Sequence, residues 1–278
     1  MKIGVIGSGI MGNGIAQVIA TSGYEVVLVD VNYDVLNKAK QTIMKSLEKL
    51  AQRKQSILVD KILSRIEFTI DKNHLKNADV VIEAIVENIV VKRTLFQELD
   101  ELCEEKTILS SNTSSLLISE IASVTNRRDR ICGLHFFNPV PLMNLVEITG
   151  TEETSSETLA IAEKLVASIN KESIHVKDTP LFVVNRLLVP LICEAISLVD
   201  EGTASVADVD KGMLLGANHP IGPLRLADMI GLDTMLHIAE ALYIKTGDSK
   251  YRVPELLRRK VETGELGRKS GRGFYQYA

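Results

Sequence analysis

Ile3-Gly4-Val5-Ile6-Gly7-Ser8-Gly9-Ile10-Met11-Gly12, a compact apolar run that breaks into glycines, decides how the rest of the chain is read. The glycines follow the spacing GxGxxG, and Met11–Thr21 then has helical spacing that stops near Gly23. In a strand–turn–helix setting, Gly7 permits the tight turn and Gly9 lets the backbone approach a pyrophosphate. Gly12 lets the helix pack closely on the sheet. The pyrophosphate would rest on the helix N-terminus, where free N–H groups and the dipole favour anions, with Ile10 and Met11 completing the loop. The next strand, Val26–Val29, ends at Asp30. A carboxylate there accepts hydrogen bonds from the adenosine ribose hydroxyls of NAD and repels a 2′-phosphate. Val31, Asn32 and Tyr33 bring no arginine that would favour NADP. NAD is the expected cofactor, since no second cradle of flavin size is obvious. The plainer reading of Asp30 is a cap for the following helix.

Working outward, an amphipathic stretch runs from Tyr33 to about Arg53, with Ala39, Ile43, Leu47 and Leu50 at three- and four-residue steps. Further strands read at Ile66–Phe68, Val80–Ala84, Ile108–Ser111 and Ile131–Leu134. Strands separated by helices imply right-handed crossovers, hence an α/β fold with a Rossmann-type, doubly wound, mostly parallel sheet. The pattern changes near Asp178-Thr179-Pro180. A helix is predicted from Val183 to about Val199, kinked at Pro190. A capping-box-like start at Ser205-x-x-Asp208, a turn at Gly222-Pro223, and helices near Asp233 and after Pro254 follow, with no good strand pattern beyond Val176. The expected organisation is a dinucleotide-binding domain over 1–182 and a smaller all-helical domain over 183–278.

Composition narrows the function. Of 278 residues, 45% are hydrophobic and 24% charged, which excludes disorder as the main character. The net charge of −4 offers no positive field for a nucleic acid. Cys103, Cys132 and Cys193 lie far apart with no CxxC pair, against a disulfide framework and against structural zinc, so no metal is expected. Met1 leads straight into a strand rather than a signal peptide, and no apolar stretch approaches the ~18 residues that span a bilayer. A soluble, cytoplasmic protein without a membrane partner is expected.

The reaction must come from another site than the dinucleotide loop. Of the histidines, His74, His175, His219 and His237 read as surface or structural residues. His135 ends the strand Ile131–Leu134, at the carboxyl edge of the sheet where open α/β folds bind ligands. Glu147 lies in the apolar run Leu145-Val146-Glu147-Ile148, where a carboxylate needs a partner. An imidazole N–H would supply one, fixing the ring's tautomer and stabilising imidazolium as it forms. From the residues alone two readings stand: this acid–base pair, or a satisfied core histidine with an exposed edge glutamate.

Seven stretches in order then carry a resemblance. They are Gly7–Gln17 (GSGIMGNGIAQ), Glu83–Asn88 (EAIVEN), Ser110–Leu116 (SSNTSSL), His135–Pro141 (HFFNPVP), Leu145–Ile148 (LVEI), Asn185–Pro190 (NRLLVP) and Gly267–Tyr277 (GRKSGRGFYQY). Together they resemble the short-chain 3-hydroxyacyl-CoA dehydrogenase family, above all its bacterial branch acting on 3-hydroxybutyryl-CoA. The resemblance implies a reversible hydride transfer between NAD(H) and (3S)-3-hydroxybutyryl-CoA/acetoacetyl-CoA. It makes His135 the general base, Glu147 its orienting acid, and Ser114 and Asn185 the groups that hydrogen-bond the reacting oxygen. With Asn185 in the helical domain, the site is expected in the cleft between the domains. The resemblance further assigns Glu87, Lys92, Asn112 and Asn138 to the cofactor side, along with Ser114. Lys92 also reads as a solvated helix face, and Asn112 as a turn former or cap.

Coenzyme A brings phosphates, for which Lys45, Lys49 and Arg53 offer one basic helix face at four-residue spacing. Such a run is also an ordinary solvated face; the resemblance assigns Ser46, Lys49 and Arg53 to the CoA end. It also implies a homodimer formed through the helical domain. Among rivals, free-acid dehydrogenases need a lysine in a GxGxxxK segment, and nucleotide-sugar dehydrogenases a nucleophilic cysteine; neither pattern occurs. A sugar-acid dehydrogenase related to lambda-crystallin shares the His–Glu pair, and a nonenzymatic NAD-binding protein is the alternative from another class.

Overall fold

The computed structural model describes residues 1–52 and 57–277. They fall into two units, the first Met1–Thr179 and the second from Pro180 onward. Apolar runs become strands buried on both faces, which is what a parallel sheet covered by helices requires. In chain order the first unit contains β1 (Lys2–Ile6), α1 (Ile10–Thr21), β2 (Glu25–Val29), α2 (Tyr33–Ala51), α3 (Val59–Leu63), β3 (Ile66–Thr69) and β4 (Val80–Glu83). It continues with α4 (Ile89–Leu102), β5 (Ile108–Ser111), α5 (Ile118–Ala122), β6 (Ile131–Phe136), β7 (Leu145–Gly150), α6 (Ser156–Ser168) and β8 (Glu172–Lys177). The sheet order is β3-β2-β1-β4-β5-β6-β7-β8. From β3 through to β6 all neighbours are parallel, as the alternation of strands and helices implies.

The far edge differs. β7 pairs antiparallel with β6 and parallel with β8, and the exposed β8 carries His175. Residues 137–144 are too few for a crossover of a dozen or more residues, so the chain can only turn back. The chain winds one way from β1 into β2 and β3, then returns to β4 on the other side of β1. This reversal makes the crevice where doubly wound sheets bind ligands. α1 and α2 cover one face through Ile15, Ile19, Leu36, Ile43 and Leu47, all 1% exposed or less. Asn32, whose Oδ1 accepts from Val35 N at 3.0 Å, caps α2. That settles the capping role in favour of Asn32 and against Asp30. Among the described residues, no helix is long and apolar enough to cross a membrane.

The second unit is helical: α7 (Val184–Asp200), α8 (Val206–Gly216), α9 (Pro223–Ile230), α10 (Leu232–Thr246) and α11 (Glu255–Glu262). α7 continues through Pro190. Ser205 caps α8 as its motif suggests, accepting from Asp208 N at 3.2 Å. The turn expected at Gly222-Pro223 is instead the start of α9, with proline in the first turn where its missing N–H costs nothing. Beyond α11 the chain closes over Asp228, which is 1% exposed. Its carboxylate accepts from Phe274 N and Tyr275 N at 2.9 Å and from Tyr277 Oη at 3.0 Å. A Cβ on Gly273 would stand 2.0 Å from Asp228 Oδ1, and one on Gly267 2.4 Å from its carbonyl oxygen. The glycines of that last stretch are therefore a packing requirement.

Candidate active site

The glycine loop is shaped around an opening. Gly7 has φ +92°, and a Cβ there would sit 2.6 Å from the Ala84 carbonyl oxygen. A Cβ on Gly12 would lie 1.7 Å from Gly7 O, whereas one on Gly9 would meet nothing within 4 Å. No side chain caps α1 and no acidic residue stands in its first turn. Open space over Gly9 at an uncapped helix N-terminus fits a pyrophosphate. Ile10, 72% exposed, borders it, and Met11 is half-buried. The carboxylate of Asp30 ties the loop to β2: Oδ2 accepts from Ser8 N and Ser8 Oγ at 2.6 Å, and Oδ1 from Val31 N at 2.7 Å. An ionised carboxylate has about four acceptor sites, so Asp30 keeps capacity for a ribose hydroxyl. Beside it lies a cavity of about 410 Å³ lined by Val31, Ile70, Ile85, Val90 and Val91, an apolar slot suited to an adenine ring. The residues present fit NAD.

His135 and Glu147 stand directly opposite each other in the β6–β7 ladder. Cross-strand partners share a face of the sheet, so register alone brings the two side chains together. His135 Nδ1 lies 2.7 Å from Glu147 Oε2, with Glu147 fully buried and His135 5% exposed. An ionised carboxylate can only accept, so Nδ1 carries the hydrogen and the basic lone pair falls to Nε2. The Phe137 ring lies against the imidazole, 4.5 Å between centroids.

Glu87, Lys92 and Asn112 act as struts for this region. Lys92 is 1% exposed and forms ion pairs with Glu83 and, at 3.3 Å, with Glu87. Glu87 Oε1 accepts from Ser114 N at 3.1 Å, Ser115 N at 3.0 Å and Ser115 Oγ at 2.9 Å, and also from the Thr113 hydroxyl. Burial pushes the Glu87 carboxyl up, but the Lys92 ammonium and these donors outweigh it and hold the group below its ordinary value. Ser114 is thereby fixed by its backbone, while its hydroxyl hydrogen-bonds to no other described residue. Asn112 Oδ1 accepts from Phe136 N at 2.8 Å, tying β5 to the strand residue next to His135. Glu83, fully buried, was missed from the sequence; its Oε2 accepts from Ser111 Oγ at 2.6 Å. The signal was present, a carboxylate ending an apolar run just as Glu147 interrupts one.

A groove of about 370 Å³ runs between α1, α2 and the loop after β6. Ser46, Lys49 and Asn138 line it, whereas Lys45 is exposed elsewhere on α2. Arg53 lies outside the described residues. Buried Lys171 braces the loop, donating from Nζ to Val140 O at 2.7 Å and to Met143 O at 2.5 Å. Asn185 occupies the first turn of α7 and is half-buried. Burial pushes the Cys103 thiol up to about 11 and those of Cys132 and Cys193 to about 12, so none serves as a ready nucleophile.

A dinucleotide loop at the switch point of a doubly wound sheet, with an imidazole–carboxylate pair at its carboxyl edge, defines an NAD-dependent oxidoreductase. Comparison with known proteins specifies which kind. Residues 2–179 match the family model described as 3-hydroxyacyl-CoA dehydrogenase, NAD binding domain, and residues 182–277 match the C-terminal domain of the same family. A 3-hydroxybutyryl-CoA dehydrogenase of Clostridioides difficile is 46% identical over 279 residues, covering 100% of this chain and 99% of that one. A probable 3-hydroxybutyryl-CoA dehydrogenase of Deinococcus radiodurans is 48% identical over 278 residues, the whole of both chains. The crystal structure of (S)-3-hydroxybutyryl-CoA dehydrogenase from Ralstonia eutropha superposes with a TM-score of 0.96 at 46% identity, covering 100% of this chain and 99% of that one. The chain belongs to the 3-hydroxyacyl-CoA dehydrogenase family, and its cofactor is NAD.

Proposed function

We propose that the protein oxidises (3S)-3-hydroxybutyryl-CoA to acetoacetyl-CoA, reversibly, with His135 and Glu147 as the acid–base pair. The 2.7 Å contact between His135 Nδ1 and Glu147 Oε2 carries this reading, because it assigns the proton-accepting lone pair to Nε2. In the oxidising direction Nε2 takes the proton of the 3-hydroxyl group as the carbonyl forms. Positive charge then appears on the ring, and buried Glu147 stabilises it where water cannot. In the reducing direction the imidazolium returns the proton to the carbonyl oxygen. Ser114 and Asn185 hold that oxygen, Ser114 with a hydroxyl spared by the backbone contacts of its own loop. Bound NAD supplies the hydride acceptor, seated by Gly7, Gly9, Ile10, Met11, Gly12 and Asp30. Glu87, Lys92 and Asn112 act on it through the loop and strand they brace, and Asn138 from the loop after β6. Ser46, Lys49 and Arg53 receive the CoA end. Residues 183–278 carry Asn185 and form a homodimer.

Absorbance at 340 nm tests this, with NADH and acetoacetyl-CoA, then NADPH, then a free keto acid. Fast loss with the thioester and NADH alone is expected. Equal rates with the free acid would favour a sugar-acid type of dehydrogenase instead.

A further inference from the structure

Gln17 closes the glycine-loop stretch, yet nothing in the mechanism uses it. It sits on α1, in step with Ile10, Asn13 and Gly14 along the face that lines the groove described above. It is 2% exposed, and its side-chain amide makes no hydrogen bond to any other described residue. Thr149 Oγ1 is the one side-chain polar atom among the described residues that is both buried and unpaired, so the Gln17 amide, though its residue is buried, still reaches solvent where it lines the groove. Gly14 explains why the groove exists at this depth. A Cβ there would stand 2.9 Å from Val140 Cβ, so glycine lets the loop after β6 close onto α1 beside Gln17. The opposite wall, from α2, presents Thr42, Ser46 and Lys49. Asn13 and Asn138 line it too, and the rest of the lining is apolar, with Pro139, Val140 and Leu142 on the loop side. Such a channel suits a long neutral arm that carries occasional amides.

We infer that Gln17 is a specificity residue that hydrogen-bonds a secondary amide of the pantetheine arm of the acyl thioester. A primary amide offers both a donor and an acceptor, and so pairs with a ligand N–H or C=O. This rests on reading the groove as the thioester's site. It also separates Gln17 from a structural residue, since an amide that bonds only solvent in the free protein is removed there at little cost while the complex is weakened.

The test is Gln17→Met, which keeps the length and removes the amide. Steady-state rates with NADH should show the KM for acetoacetyl-CoA rising roughly tenfold, with kcat within about twofold and the KM for NADH unchanged. The same rise is expected with acetoacetyl-pantetheine, which has the arm but lacks the nucleotide. The thermal midpoint of the ligand-free variant should equal or exceed that of the parent. An unchanged KM for acetoacetyl-CoA overturns the inference, and so does a rise that vanishes with acetoacetyl-pantetheine. A lowered thermal midpoint overturns it too, since it makes Gln17 a structural residue. No turnover of acetoacetyl-CoA by the parent protein would instead overturn the proposed function.

Discussion

Glu83 on β4 and Glu147 on β7 are both fully buried carboxylates of one sheet, yet they are built for different ends. Glu147 faces an imidazole, a group that takes and gives a proton near neutral pH. Glu83 faces the ammonium of Lys92, which also reaches Glu87, and as a class ammonium groups hold their proton far above neutrality. On the proposed reading the first pair takes part in proton transfer, whereas Lys92 of the second holds Glu87 and, through it, the Thr113–Ser115 loop. Burial and ion pairing alone do not distinguish a catalytic acid from a strut. The proton chemistry of the partner does.

The largest expected effect breaks the first pair. His135→Gln should lower kcat by about 10⁴-fold, the upper end for a lost general base, with NADH affinity and thermal midpoint nearly unchanged. Breaking the second should show first in stability. Lys92→Met strands two carboxylates and is expected to cost about 3 kcal/mol in urea melts. Full stability in that variant would mean the ion pairs do not support this region. Glu147→Gln keeps a hydrogen-bonding group but removes the charge that stabilises imidazolium. A drop in kcat of roughly 10²-fold is expected, smaller than that of the base itself. The weakest effect is acid sensitivity. Glu87 is held below its ordinary value in the folded protein, so it contributes stability above the unfolded carboxylate range. That contribution should fade as pH falls through the lowered folded value, and Glu87→Gln should flatten this part of a stability–pH curve.

Much of the first unit was legible because its strands are short apolar runs and its glycines have distinct steric duties. Gly7, Gly9 and Gly12 do in the structure what GxGxxG in a strand–turn–helix setting requires. The meeting of His135 and Glu147 was one of two readings the residues left open, and the β6–β7 register brings the two side chains together. Glu83 escaped because it ends a strand already accounted for. The antiparallel direction of β7 was not read from the sequence, because it depends on the shortness of residues 137–144 and not on any residue pattern. Gly222-Pro223 reads as a turn because the helix it begins is only eight residues long. The glycines near the end of the chain could be matched to a family but not explained. Their reason is Asp228, which only the fold brings against them.

Ladder register aligns residue 135 with residue 147, so a substitution within segment 137–144 that keeps the β6–β7 pairing leaves the two side chains facing each other. The lining of the groove and the facing of that pair thus rest on different constraints, one on the side chains of a loop and the other on backbone pairing.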